Sequence, residues 1–287
     1  MSRQADTEHT YENTSRVLDT DQGKLHYHEA GAGEPLLLLH GSGPGVFGWA
    51  NFRGNLALFA QHFHTYILDM PGYGGSDPAE GNPIQVSVEG VVRFMDKLGL
   101  QKVRIVGNSL GGGIGAQVAA LHPDRVDRLC TIGGVGINLF TAFPAEGINL
   151  LVDFTEAPSR EKLISWLRSM VYDQSLVTEE LIEERWKRAT EPNTLAASRK
   201  MYSRPAIQAI ATHVMKSTLP LAHLPNIKCP TLITWGRDDR VSPMDMAFVP
   251  MRLIPKCELH IFHDCGHWAM IERKAEFESV VLAFLTR

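Results

Sequence analysis

Ser109 stands in "GNSLG" (residues 107–111), a G-x-S-x-G pattern. The apolar run "VRIVG" (103–107) leads into it, and a helical pattern ending near "HPDR" (122–125) follows. A serine hydroxyl is a weak nucleophile until a base takes its proton, and the base needs an acid to orient it. A strand-to-helix turn supplies the geometry. Gly107 and Gly111 carry no Cβ, so neighbouring backbone can come close, and the serine Oγ is presented at the carboxyl edge of a sheet, above a helix amino terminus. The bland alternative, a glycine-rich loop with an incidental serine, requires neither the strand nor the helix.

The partners expected of such a serine follow in chain order, acid then histidine. "WGRDDRVSP" (235–243) begins at the end of the apolar run "TLITWG" (231–236) and offers Asp238 and Asp239. Asp239 is preferred because it lies three residues after the strand-ending Gly236, which leaves Asp238 to face solvent or cap a turn. "DCGHW" (264–268) offers His267 on a glycine turn after the last strand-like run, whereas His260 and His263 fall within or at the end of that run. The oxyanion of an acyl transfer needs backbone donors. The N–H of Leu110 is one. The loop "HGSGPG" (40–45) offers a second from Ser42 or Gly43, while Pro44 cannot donate. Gly43, Gly45 and Gly48 also spell G-x-G-x-x-G, with Asp69 where a ribose-binding acid would stand. Pro44 removes a phosphate donor from that reading, so dinucleotide binding is not expected. No H-E-x-x-H and no metal-spaced Cys/His group is found. Neither a metal nor a cofactor is expected.

Arg185 lies in "SLVTEELIEERWKRATEP" (175–192), a stretch with Thr178 as helix cap and Pro192 beyond its end. The apolar stripe runs through Leu181, Ile182, Trp186 and Ala189, and Arg185 falls inside it. Its neighbours three and four residues away include no acid. Such an arginine either snorkels to a distant carboxylate or awaits an anion, and spacing alone leaves both open.

The elements that must position these residues are legible as apolar runs: "PLLLLH" (35–40), "HTYILD" (64–69), "VRIVG", "RLCTIGG" (128–134), "TLITWG" and "ELHIFH" (258–263). Continuous apolar strands imply a sheet covered on both faces. Between them lie helical patterns, such as Val88, Val91, Val92, Met95 and Leu98 with Gly99 as stop. The alternation predicts an α/β fold with a mostly parallel, doubly wound sheet. It breaks between residues 136 and 225, which read as helices. That segment is expected to be a helical lid insertion, with 1–135 and 226–287 forming two parts of one core domain.

The chain has 287 residues, 21% of them charged, and a formal net charge of −4. That composition argues against global disorder. No Lys/Arg cluster interleaves with aromatics, so nucleic acid is not an expected partner. The polar start "MSRQADTEHTYENTSR" has no apolar core, and no apolar run is long enough to span a bilayer. Neither a signal peptide nor a membrane partner is expected. Cys130, Cys229, Cys257 and Cys265 show no C-x-x-C spacing, which suits reduced thiols and a cytoplasmic location.

The whole chain from about Gly23 resembles the α/β-hydrolase superfamily. Within it, the chain resembles the meta-cleavage product hydrolases, which split a carbon–carbon bond in ring-opened aromatic catabolites. The resemblance rests on "HGSGPGVFGWANF", "GNSLGG", "FPAEGINLL", "YDQSLVTEELIEERW", "WGRDDRVSP" and "CGHW", in this order. It implies the α/β-hydrolase fold and the triad Ser109, Asp239 and His267. It also implies a polar subsite of Asn51, Asn108, Arg185 and Trp268 for the dienoate end of a 2-hydroxy-6-oxo-hexa-2,4-dienoate, and no cofactor. Products would be 2-hydroxypenta-2,4-dienoate and a carboxylic acid. Members of the family often form dimers or larger homo-oligomers. The residue readings also accommodate a carboxylesterase, for which Arg185 has no task, or a ligand-sensing protein of the same fold. Phe140, Phe143, Phe154, Trp166 and Met170 suit either an apolar lid wall or an ordinary helical core.

Overall fold

The computed structural model describes residues 9–216 and 221–287. Residues 1–8 of the polar start and residues 217–220 of the expected lid segment lie outside the described residues. In chain order the elements are α1 (Tyr11–Thr14), β1 (Ser15–Thr20), β2 (Gly23–Ala30), β3 (Pro35–Leu39), α2 (Gly48–Phe59), β4 (His64–Leu68), α3 (Pro83–Lys97), β5 (Val103–Asn108), α4 (Leu110–Leu121) and β6 (Val126–Ile132). Five helices follow: α5 (Glu146–Glu156), α6 (Arg160–Met170), α7 (Glu179–Ala189), α8 (Pro192–Tyr202) and α9 (Arg204–Lys216). The chain then returns to β7 (Thr231–Gly236), α10 (Phe248–Leu253), β8 (Cys257–Phe262), α11 (Ala269–Glu272) and α12 (Lys274–Leu285).

The eight strands form one sheet in the order β1-β2-β4-β3-β5-β6-β7-β8. From β4 to β8 every pairing is parallel, whereas β1 and β2 run antiparallel. Alternation along β3 shows why the strands are apolar throughout. Leu36 and Leu38 join Phe52, Leu56 and Phe59 of α2 and Phe277, Val281 and Phe284 of α12 on one face. Leu37 and Leu39 join Val88, Val91 and Phe94 of α3 and Ile114 and Val118 of α4 on the other. A strand with helices on both sides has no solvent face to carry polar residues. Asn82 caps α3 through the N–H groups of Ile84 and Gln85, and Gly99 follows its end at a φ of +68°.

Between β6 and β7 the described residues contain no strand. Pro192 both terminates the preceding helix pattern and opens α8 at its first turn. The five aromatic or sulfur-bearing side chains named above divide. Phe154, Trp166 and Met170 are buried in the core, whereas Phe140 is 83% exposed. The Asp245 carboxylate accepts the N–H groups of Leu139, Phe140 and Thr141, and so pins that turn with its apolar side chains outward.

The sequence reading names no strand before residue 35, yet β1 and β2 extend the sheet there. The hidden feature is polar burial. His26 and His28 of β2 are almost wholly buried. His26 bonds Asp69 at 2.8 Å and Ser15 at 2.8 Å, and His28 bonds Thr14 at 2.9 Å. Asp69 is no ribose ligand. Its carboxylate is fully buried and accepts the N–H of Gly48 at 2.6 Å and of Gly75 at 2.9 Å besides His26. It thereby ties the start of α2 to the turn after β4.

Burial pushes the Asp69 carboxyl upward, but His26, the field of His40 and the two N–H donors outweigh it and hold it below the ordinary carboxylate value. Asp69→Ala is expected to lower unfolding free energy by about 3–5 kcal/mol, the typical loss when one member of a buried pair is removed. A urea titration at pH 7 measures it, and an unchanged midpoint contradicts the assignment. Because the folded value is depressed, the carboxylate stabilises above the unfolded pKa, about 3.9, and the benefit is lost as pH falls through the folded value. The gap between wild type and variant therefore closes only in acid.

Candidate active site

Ser109 joins β5 to α4 with φ +51° and ψ −114°, a strained conformation for a residue with a side chain. Its surroundings force it. A Cβ added at Gly107 would lie 2.3 Å from the Gly111 carbonyl oxygen, and one at Gly111 would lie 2.2 Å from that of Leu39. At Gly134, itself at φ +77°, a Cβ would stand 1.9 Å from the Ser109 carbonyl oxygen. The Ser109 N–H bonds the Ile132 carbonyl at 2.8 Å, and its carbonyl accepts the Gly113 N–H at 3.0 Å. Strand β6 and helix α4 thus grip the turn from both sides, and its side chain is left partly exposed.

His267 and Asp239 meet across the ends of β7 and β8, with Nδ1 to Oδ2 at 2.6 Å and both side chains 2% exposed. The other Asp239 oxygen accepts the N–H groups of Val241 and Ser242, each at 2.8 Å. Trp235 anchors that loop by donating from its indole to the Ser242 carbonyl at 2.7 Å. The His267 N–H bonds the Met170 carbonyl at 2.7 Å, and Gly133 lies against the ring. With Nδ1–H donated to the carboxylate, Nε2 keeps a lone pair, which is the form a general base needs. Among the described residues Ser109 Oγ and His267 Nε2 form no hydrogen bond with each other. Asp238 turns away, pairing with Arg237 at 3.2 Å and accepting from the Cys265 N–H at 3.4 Å.

The loop after β3 comes over the serine. A Cβ at Gly41 would lie 3.4 Å from Ser109 Cβ, and its N–H donates to Asn51 Oδ1 at 2.8 Å. Ser42 Oγ bonds the Tyr202 hydroxyl of α8. Gly43 sits at φ +126° with the Trp166 ring 2.7 Å from where a Cβ would be, and a Cβ at Gly45 would lie 2.6 Å from the Arg185 carbonyl. These glycines admit α6 and α7. They cradle no phosphate. Leu110 opens α4, where the first N–H groups have no partner within the helix. Tyr202 carried no signal in the sequence, because nothing local marks a contact across 160 positions.

Asn108 donates to the carbonyls of Ile132 at 3.3 Å and His267 at 3.5 Å. Asn51 is buried, and among the described residues its Nδ2 has no partner. Arg185 is 1% exposed, and among the described residues its Nε and Nη1 have no hydrogen-bond partner. Its guanidinium lies 5.4 Å from the ring of Trp268, the residue after His267. Burial pulls the guanidinium pKa down to about 10; Glu184 opposes this, while Arg53 and Arg188 add to it. It remains charged at neutral pH. A buried cation without an anion is costly, and an incoming carboxylate would relieve it. Asn51, Arg185 and Trp268 share the wall of a cavity of about 330 Å³. Among the described residues no group of three or more His, Cys, Asp or Glu side chains could hold a metal ion.

This geometry predicts unequal effects at adjacent aspartates. Asp239→Asn is expected to cut kcat on the order of 10⁴-fold by disorienting His267, and Asp238→Asn only a few-fold. Equal losses in steady-state assays would contradict the pairing.

The model of the alpha/beta hydrolase fold family matches residues 34–274. A 2-hydroxy-6-oxononadienedioate/2-hydroxy-6-oxononatrienedioate hydrolase of Comamonas testosteroni is 37% identical over 272 residues, covering 91% of each chain. A 2-hydroxy-6-oxo-6-phenylhexa-2,4-dienoate hydrolase of the same organism is 35% identical, covering 97% of this chain and 99% of its own. The solved structure of the meta-cleavage product hydrolase CumD from Pseudomonas fluorescens IP01 has a TM-score of 0.83 at 30% identity, covering 94% of this chain and 97% of its own. The chain belongs to the meta-cleavage product hydrolases of the α/β-hydrolase superfamily.

Proposed function

We propose that the protein hydrolyses the C5–C6 bond of a 2-hydroxy-6-oxo-hexa-2,4-dienoate, using Ser109, Asp239 and His267 as a catalytic triad. The observation that carries the reading is Arg185, a buried cation with two unpaired donors beside Asn51 and Trp268. An esterase has no need of it, whereas a dienoate brings a C1 carboxylate. The family's hydrolases of such dienoates, 35–37% identical, support the same substrate class.

The chemical difficulty is the leaving group, since a bare carbanion is too basic to depart. Moving the 2-hydroxyl proton to C5 gives the keto tautomer, in which a carbanion at C5 delocalises onto the C2 oxygen. Arg185 pairs with the C1 carboxylate, assisted by Asn51 and Asn108, and Trp268 flanks it. Ser109 Oγ attacks C6 and passes its proton to His267 Nε2. The N–H of Leu110 and that of Ser42 or Gly43 hold the oxyanion. The C5–C6 bond breaks, its electron pair reaches the C2 oxygen, and the proton held by His267 passes to that oxygen, which gives 2-hydroxypenta-2,4-dienoate and returns His267 to its neutral form. The acyl group stays on Ser109 until water, deprotonated by His267, releases it as a carboxylic acid. The helices between β6 and β7 act as the lid over this site. No described helix is long and apolar enough to cross a membrane.

Ser109→Ala is expected to fold normally and lose about 10⁴-fold or more in turnover. Arg185→Gln separates carbon–carbon hydrolysis from plain ester hydrolysis. Loss of a charged partner costs roughly 2–5 kcal/mol, so kcat/KM for the dienoate should fall by about 30-fold or more. Hydrolysis of p-nitrophenyl acetate, which has no carboxylate, should stay within a few-fold of wild type. The dienoate's visible absorbance fades on cleavage and gives the readout. Parallel loss of both activities would make Arg185 a support of the lid only.

A further inference from the structure

The cavity beside Arg185 reaches three of the four polar-subsite residues, Asn51, Arg185 and Trp268, yet neither Asn108, Ser109 nor His267 is in its wall. Its mouth lies between α2 and α7, with Lys274 of α12 at the rim. Arg53 of α2 and Glu184 of α7 span that mouth as a forked ion pair, at 3.1 and 3.3 Å. The arginine side chain is 48% exposed, so water competes readily for the pair. Lys274, 49% exposed, is held by Glu278. Its inner wall includes Asn51 and Arg185, and just behind that wall lie donors without a hydrogen-bond partner among the described residues, Arg185 Nε and Nη1 and Asn51 Nδ2.

We propose that this cavity is the exit route of the first product, a small 2-hydroxydienoate anion. The proposal rests on the carbon–carbon reading above. Once the C5–C6 bond has broken, the acyl group remains esterified to Ser109 and fills the space on its own side. The dienoate is left on Arg185 and Asn51, whose other neighbour is this cavity. Leaving through it, the anion need not pass the acyl group. It meets only a half-exposed ion pair that joins core to lid, and opening that pair leaves Ser109, Asp239 and His267 undisturbed.

A plug at the mouth tests the route. Gly54 of α2 is exposed, and a Cβ there meets only Lys274 Cε, at 3.7 Å. Gly54→Trp therefore has room to fold and fills the opening. With a dienoate in excess, steady-state kcat is expected to fall at least about fivefold, because release becomes limiting. The single-turnover rate of colour loss, with enzyme in excess, should match wild type, and so should hydrolysis of p-nitrophenyl acetate, which produces no dienoate. Gly54→Ala should behave as wild type, and Lys274→Trp, which fills the same mouth from α12, should repeat the effect of Gly54→Trp. Wild-type steady-state turnover in both plugged variants overturns the route. So does an equal slowing of single turnover or of ester hydrolysis, which marks distortion of the site. A wild-type enzyme that never consumes the dienoate defeats the underlying reading before any variant is made, and the route with it.

Discussion

The serine turn holds together because four backbone segments approach more closely than any side chain allows. Leu39 of β3, the first turn of α4, the end of β5 and the glycine pair after β6 converge on Ser109, with Gly107, Gly111 and Gly134 at the contacts. The positive φ of Ser109 is the consequence, since no relaxed conformation fits between those walls. Every other part of the site is placed relative to this turn. The loop after β3 lies over it through Gly41, and Gly133 sets the floor beneath His267 and Asp239.

Buried polar groups do the remaining positioning. Asp69 reaches the start of α2, α2 carries Asn51, and Asn51 holds the N–H of Gly41 above the serine. Two hydrogen bonds, joined through the first turn of α2, thus connect a carboxylate in the turn after β4 to the loop over Ser109. On the far side, the Glu272 carboxylate accepts the N–H of Gly266, just before His267, at 2.8 Å, and that of Tyr172, after α6, at 2.6 Å. The histidine loop and the end of α6 are therefore set by one group. Arg185 departs from this pattern. Its backbone packs on Gly45, but among the described residues the buried Nε and Nη1 of its guanidinium have no hydrogen-bond partner. Satisfied buried charges such as Asp69 rigidify a structure, whereas an unsatisfied one is a demand for a ligand.

The sequence by itself determined the layered sheet, and it singled out Ser109, Asp239 and His267, in that order, as candidates for the site. Continuous apolar strands and helical periodicity are local signals, and a glycine on each side of Ser109 is a local statement about backbone approach. The preference for Asp239 over Asp238 was likewise available from its distance to the strand end. Tertiary structure alone decided the rest. Residues 15–30 stayed unread as a hairpin because their alternate positions are histidines, whose burial makes sense only once Asp69, Ser15 and Thr14 reach them. In "HGSGPG" Pro44 already spoke against a phosphate loop, but that Trp166 and α7 lie against Gly43 and Gly45 is visible only in the fold. Arg185 could be placed on an apolar stripe, but whether a distant acid answered it depends on contacts between segments far apart in the chain. Spacing reports only neighbours within a turn or two, and the absence of a partner is a property of the folded interior.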